Sequence, residues 1–136
     1  MRTLSFTLPF ALSSGNVLLR THWAKRRRMQ QNVALQVIVA LGGTRHIPRP
    51  PLGRVRLIVT RHSQRMLDVD NLASSVKHLA DVLCPPSARH PCGLGIITDD
   101  APSLCHLVVE QILTPQVAHR RTEVAITEIG DNEVGL

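Results

Sequence analysis

The chain has 136 residues, 43% of them apolar and 19% charged, which fits one ordinary globular domain over residues 1–136. Only 2% are aromatic, so we expect an aliphatic core, and no apolar run is long enough to cross a membrane. The 16 Lys and Arg against 10 Asp and Glu, with a pI near 10.6, favour a polyanionic partner.

The charge is unevenly divided along the chain. Residues 1–67 hold 12 of the 16 basic residues and no acid, so this part carries +12. The other four basic residues face all ten acids in residues 68–136, which therefore carry −6. Such asymmetry is typical of nucleic-acid-binding proteins. The three irregularly spaced cysteines favour a reducing cytoplasm over a disulfide scaffold.

The first elements follow from periodicity and turn residues. Residues 3–10 alternate apolar and polar side chains, which predicts a strand and argues against a signal peptide. Residues 13–16 predict a turn. Residues 23–41 predict a helix that begins basic, becomes apolar from Val33 and stops at two glycines. The prolines between residues 46 and 53 predict a linker.

The second half predicts a strand, a helix and two more strands. Residues 54–62 alternate apolar side chains with basic or polar ones, which predicts a strand with one basic face. A helix follows, capped by Asp70 or Asn71 and ending before Pro85. Residues 104–113 and 121–129 predict strands that are hairpin neighbours, and the last seven residues are expected to fray. Together the elements predict a single α+β domain with a mixed β-sheet packed against two main helices.

The first acids of the chain stand together in Asp68-Val69-Asp70-Asn71-Leu72. Carboxylates two residues apart in extended chain point to one side, roughly 6 to 7 Å apart, a span that oxygen-ligated cations can bridge. Asp99 and Asp100 would supply a third carboxylate if the fold brings them beside the helix start. The alternative is that Asp70 only caps a helix and Asp99-Asp100 is a solvated turn, and spacing alone leaves both readings open.

The order of these motifs resembles the RusA family of Holliday junction resolvases, which are found largely in bacteriophages and prophages. The resemblance rests on Asp68-x-Asp70-Asn71-Leu72, then Lys77, Gly95-Ile96 and Asp99-Asp100, together with the upstream residues 16–28. It implies a RusA-like fold and a homodimeric endonuclease, dependent on Mg²⁺ with Mn²⁺ as a possible substitute. Such a hydrolase resolves four-way DNA junctions by paired symmetric nicks in recombination and repair, in a bacterial or phage setting.

The resemblance also implies roles for particular residues. Asp68, Asp70 and Asp100 match the family's catalytic, metal-binding carboxylates, and Asp99 is an adjoining acid counted with the metal ligands. One branch of the family has a catalytic Lys four residues after the second Asp, where this chain has Ser74. Lys77 matches a Lys of a phage-like branch and is assigned as a cation that contacts phosphate or stabilises the transition state. The alternative for Lys77 is a solvent-facing helix residue.

The basic half is expected to bind the phosphates of branched DNA. The predicted contacts are Arg20, Lys25, Arg26, Arg27, Arg28, Arg54, Arg56, Arg61 and Arg65. Trp23 lies among them and is interpreted as a core anchor in preference to a wedge against a base, because aromatic residues are so few.

Two other functions stay open. A RusA-like protein that binds DNA but has lost its nuclease activity is favoured by Ser74 and by the long loop over residues 84–92. The other function is that of a zinc-stabilised basic module that binds an acidic protein. Its zinc ligands would come from the loop and its surroundings, namely Cys84, Cys92, His78, Cys105 and His106.

Overall fold

The computed structural model describes residues 1–130, which form a four-stranded mixed sheet and three helices. The strands are β1 (Thr3–Leu8), β2 (Val55–Ser63), β3 (Cys105–Leu113) and β4 (Arg121–Glu128). The helices are α1 (Gly15–Arg20), α2 (Trp23–Leu41) and α3 (Val69–Leu83), with short 3₁₀ turns at Thr44–His46 and Val117–His119. The predicted α+β class with a mixed sheet is confirmed.

The strand order is β1-β4-β2-β3, with β4 antiparallel to both neighbours and β3 parallel to β2. The predicted β3–β4 hairpin is therefore wrong. The burial pattern gives the reason. Alternate residues of β4 are buried, including Thr122, Val124 and Ile126, which suits a central strand, whereas only Cys105 of β3 is buried. The chain accordingly crosses from the β3 edge to place β4 between β1 and β2.

Helix boundaries follow local capping chemistry. α2 has the predicted bounds and ends at Gly42, whose φ of 86° lies in the left-handed region that glycine tolerates. The turn predicted at residues 13–16 is instead the start of α1, where the Ser14 hydroxyl accepts the backbone N–H of Val17. Asp68 caps α3, which corrects the prediction of Asp70 or Asn71 as the cap.

Packing against the sheet buries an aliphatic core. Val37 of α2 and Val76 and Leu79 of α3 are fully buried together with Val59 and Ile126 of the sheet. The prediction that Trp23 anchors this core is wrong, because the residue is 63% exposed. In the part described, no helix combines the length and apolarity needed to span a membrane. The fraying expected at the C-terminus concerns residues 130–136, of which 131–136 lie outside the described range.

Candidate nucleic-acid interface and acidic site

The Asp-x-Asp-Asn motif builds the beginning of α3. One carboxylate oxygen of Asp68 accepts the backbone N–H of Asn71 at 2.8 Å, and the other accepts its side-chain amide at 2.9 Å. The Asn71 side-chain oxygen in turn accepts the backbone N–H of Asn16 at 2.9 Å, which ties α1 to α3. Asp68 and Asp70 are both exposed. The motif thus fixes a local structure and leaves two carboxylates facing solvent at a helix N-terminus.

Backbone contacts at the other end of α3 set the position of Asp99 and Asp100. The carbonyl of Leu83 accepts the N–H groups of Ile96 and Ile97. Leu52 also holds this segment, because its N–H donates to the carbonyl of Ile96 and its carbonyl accepts the N–H of Thr98. Ile96 and Ile97 are fully buried. The segment that precedes the two acids is therefore docked at the C-terminal end of α3, far from Asp68.

Asp100 is paired with Lys77. The Lys77 ammonium donates to Asp100 Oδ2 at 2.6 Å and to Asp81 Oδ1 at 2.9 Å, and the side chain remains 54% exposed. Partial burial disfavours ionised Asp100, but the hydrogen bond and charge of Lys77 outweigh it and lower the pKa of this carboxyl. Desolvation likewise opposes the Lys77 charge, yet both carboxylates together raise the pKa of Lys77. Lys77 is thus neutralised by two acids of its own chain.

A second neighbour of Asp100 is a thiol. Ligand atoms of Cys84, Asp99 and Asp100 all lie within 4.8 Å of one another, and within residues 1–130 this is the one group of three that could hold a metal. Burial, and after it the charge of Asp100, raises the pKa of the Cys84 thiol to about 11. A protonated thiol is a poor ligand and Mg²⁺ prefers oxygen, so within this group only the carboxylates of Asp99 and Asp100 suit Mg²⁺.

The structure does not bring Asp68 and Asp70 to Asp100. Asp70 and Cys84 are fourteen residues apart on α3, which at 1.5 Å per residue is ~21 Å of helix. Because Asp100 reaches within 4.8 Å of Cys84, at least roughly 10 Å separates its carboxylate from that of Asp70. One ion bridges oxygens no more than about 5 Å apart. The predicted ligand set of Asp68, Asp70 and Asp100 is therefore not assembled within one protomer.

Mg²⁺ does not need three protein carboxylates. This ion keeps several waters and is commonly held by one or two carboxylates together with substrate phosphates. Asp68 and Asp70 are exposed at the start of α3 and each offers one such carboxylate, but Asp70 lies within the helix, so the one-sided arrangement predicted for two residues in extended chain does not apply to them. Asp68 already accepts two hydrogen bonds from Asn71, but each carboxylate oxygen has a second lone pair for a cation.

The zinc ligands of the alternative do not gather. In the described part of the chain, no three of the predicted cysteines and histidines bring their ligand atoms together. Cys84 and Cys105 are buried, and burial raises the pKa of each thiol to about 11.

Most of the predicted DNA contacts lie on the surface. Seven of the nine side chains are exposed: Arg20, Lys25, Arg26, Arg27, Arg28, Arg56 and Arg65. Trp23 stands next to this group at the start of α2, with its ring centroid 5.5 Å from that of His22. An exposed aromatic among cations is typical of surfaces that bind nucleic acid by stacking and by phosphate contact.

The other two predicted contacts differ from the seven. Arg54 is half-buried and has an interaction of its own. Arg61 is only 7% exposed, and its guanidinium donates to the carbonyls of Leu12 at 3.0 Å and Arg65 at 2.8 Å. Arg61 is thus not the surface contact that the alternation of β2 predicts, because β2 is covered on both sides at its C-terminal end.

Sequence reasoning missed two residues near these groups. A Cβ on Gly15 would stand 2.6 Å from Cβ of Ser74, so glycine is required where α1 meets α3. Arg120 lines the same cavity as Arg61 and Arg65, although it lies far along the chain. No local signal reveals either residue, because both contacts depend on how distant segments pack.

A comparison with models of known protein families finds no match, and a search among curated proteins finds none either. The fold and the site define a small α+β domain with exposed carboxylates at the start of α3 and exposed basic residues on α2 and β2. The resemblance to RusA-type resolvases stays a prediction.

Proposed function

We propose that this chain is a RusA-like protein that binds branched DNA and nicks it in a Mg²⁺-dependent reaction. The observation that carries the proposal is the pairing of exposed acids with cations at the start of α3. Asp68 and Asp70 are exposed, and Asp68 directly follows Leu67, which lines a cavity of about 740 Å³ that is also lined by Arg65 and Arg120. Cations beside a carboxylate pair are what a phosphodiester substrate and its metal ion require together.

DNA binding rests on the exposed basic residues. Lys25–Arg28 form four consecutive positions of α2, spaced 100° apart, so they point in different directions and cannot all contact one duplex. Arg26 faces α3, where it lines a small pocket with Lys77 and Asp81. We therefore expect two or three of these four residues to contact phosphate at one time, with Trp23 available to stack on an unpaired base at the branch point.

The chemical part of the proposal rests on Asp68 and Asp70. These two carboxylates would hold the Mg²⁺ ion, which when bound acidifies a water and neutralises charge on the phosphate oxygens. Asn71 donates one hydrogen bond to each oxygen of the Asp68 carboxylate, and these two bonds fix the orientation of that carboxylate. Lys77, about two helical turns beyond Asp70 on α3, is neutralised by Asp100 and Asp81.

Paired nicks require two sites, so the proposal includes a two-fold homodimer. The β3 edge of the sheet supports it. β3 has a hydrogen-bonding partner on one side only, and Leu107, Ile112 and Leu113 along it are 45%, 46% and 59% exposed. An exposed apolar edge strand is a ready surface for pairing with a second copy.

The test is a nicking assay on a synthetic four-way junction with Mg²⁺. We expect symmetric nicks from the wild-type chain, and we expect Asp70→Asn to abolish nicking while junction binding survives. Glu123→Gln, which removes an equal charge from β4, outside both the acidic residues of α3 and the β3 edge, is the matched control and should nick like the wild type. A wild-type chain with no affinity for junctions would overturn the whole proposal.

A second candidate is a RusA-like protein that binds junctions without cutting them. It is favoured by Ser74 in the place of the family's catalytic Lys and by the pairing of Lys77 with Asp100. Tight junction binding without nicks in either Mg²⁺ or Mn²⁺ would support this candidate and reject the enzyme.

A further inference from the structure

A cavity of about 740 Å³ lies between the segment after β1, the end of β2 and the turn before β4. Three arginines line it, namely Arg61, Arg65 and Arg120, together with the side chains of Ser13, Ser63 and Gln64. No Asp or Glu is present among the described residues of its lining. The cavity is therefore a concave, cationic and hydroxyl-bearing surface.

Arg61 gives this cavity a buried charge without a counter-ion. The side chain is 7% exposed, and its two hydrogen bonds go to backbone carbonyls, which are dipoles and carry no net charge. Within residues 1–130, Arg61 makes no ion pair with a carboxylate. Desolvation and, after it, the like charge of Arg120 lower the pKa of Arg61. Burial of an unpaired cation is costly, so a bound anion would stabilise this arrangement.

The chemistry of the lining selects the kind of anion. Guanidinium groups present a planar fork of N–H donors that matches phosphate oxygens, and hydroxyl and amide groups add further donors. Arg65 and Arg120 are exposed and can close on an anion from the rim, while Arg61 stays fixed by the carbonyls of Leu12 and Arg65. A tetrahedral phosphate oxyanion presents its oxygens in more directions than a flat carboxylate, so it fits donors that converge from several sides of the cavity better.

We infer that this cavity is a phosphate-binding site that holds one backbone phosphate of the DNA beside Asp68 and Asp70. The inference rests on the proposed function, because it makes DNA the source of the phosphate. Leu67 lines the cavity and Asp68 follows it in the chain, so a strand anchored here passes the carboxylate pair. The site would fix the position of the strand relative to the acids.

The test compares two double variants that remove the same charge. Arg65→Gln/Arg120→Gln alters the rim of the cavity, and Arg45→Gln/Arg89→Gln alters exposed arginines elsewhere. Arg61 is left intact because its bonds hold two backbone segments together. Thermal unfolding without phosphate first establishes that each variant folds. Unfolding is then measured with inorganic phosphate at constant ionic strength, and junction binding by fluorescence anisotropy over a range of salt.

We expect phosphate to raise the melting temperature of the wild type and of the Arg45/Arg89 control but not of the Arg65/Arg120 variant. We also expect that variant alone to bind the junction about tenfold more weakly, with a log–log salt slope smaller by about 2. Equal junction binding by the two variants would reject the site and leave the proposed function standing. Phosphate stabilisation without any junction binding by the wild type would reject both the DNA assignment and the proposed function.

Discussion

The ion pair between Lys77 and Asp100 offers a direct test of how the acidic region is held. Lys77→Met keeps the length of the side chain and removes the ammonium, which leaves Asp81 and Asp100 without their shared cation. The carboxylate of Asp100 is 18% exposed, but Lys77 is 54% exposed, so solvent screening reduces the effect. We expect the free energy of unfolding at pH 7 to fall by about 1 kcal/mol, or ~3 °C in melting temperature.

The pH dependence follows from the direction of the pKa shifts. Asp100 has a pKa below its ordinary value of 3.8 in the folded protein, so its ionised form stabilises the fold above that value and the contribution is lost as pH falls. Lys77 has a raised pKa, so its contribution persists throughout the acidic and neutral range and disappears only in strong alkali. The difference between wild type and Lys77→Met should therefore shrink between pH 7 and pH 3.

A double-mutant cycle with Asp100→Asn isolates the pair from the contact with Asp81. Urea unfolding of the four proteins should give a coupling energy of about 1 kcal/mol at pH 7 and a clearly smaller value at pH 3. Lys25→Met, which removes the same charge from an exposed position of α2, should change stability by no more than about 0.5 kcal/mol. A coupling energy below about 0.3 kcal/mol at pH 7, or one that does not vary with pH, would refute this account.

Three further predictions concern packing, stacking and assembly. Gly15→Ala should lower stability by about 2 kcal/mol in thermal unfolding, because its Cβ would lie 2.6 Å from Cβ of Ser74, and Ser74→Gly should restore part of the loss. Trp23→Ala should weaken junction binding several-fold in anisotropy measurements and leave the melting temperature unchanged, since the residue is 63% exposed; a lower melting temperature would contradict this. Leu107→Lys should convert a dimer to a monomer in light scattering, and a dimer that persists would place the interface elsewhere.

Several elements could be predicted because short-range rules decide them. The apolar alternation of β2 and the helical pattern of α2 that stops at Gly42 need no knowledge of distant residues. The sequence predicts the cap of α3 two or three residues too late, at Asp70 or Asn71 instead of Asp68. All three are good capping residues, and only the backbone geometry decides which of them caps the helix. The exposed carboxylates of Asp68 and Asp70 belong to this locally decided part.

The arrangement of the site was decided by the tertiary structure. Whether Asp100 meets Asp70 or Lys77 depends on where Ile96 and Ile97 dock, and their N–H groups both donate to the carbonyl of Leu83 in the last turn of α3. Likewise, Arg120 joins Arg61 only because β4 inserts between β1 and β2.

The sequence by itself determined the type of every strand and of the two long helices α2 and α3, but not of α1, and it determined the aliphatic core and the separation of charge along the chain. Periodicity, caps and turn residues act over a few positions, so a linear pattern is sufficient to specify them. Only the tertiary structure decided which charges meet, because strand order and segment docking join residues that are far apart in the chain. A single buried pattern, such as that of β4, is compatible with several strand orders until its neighbours are in place.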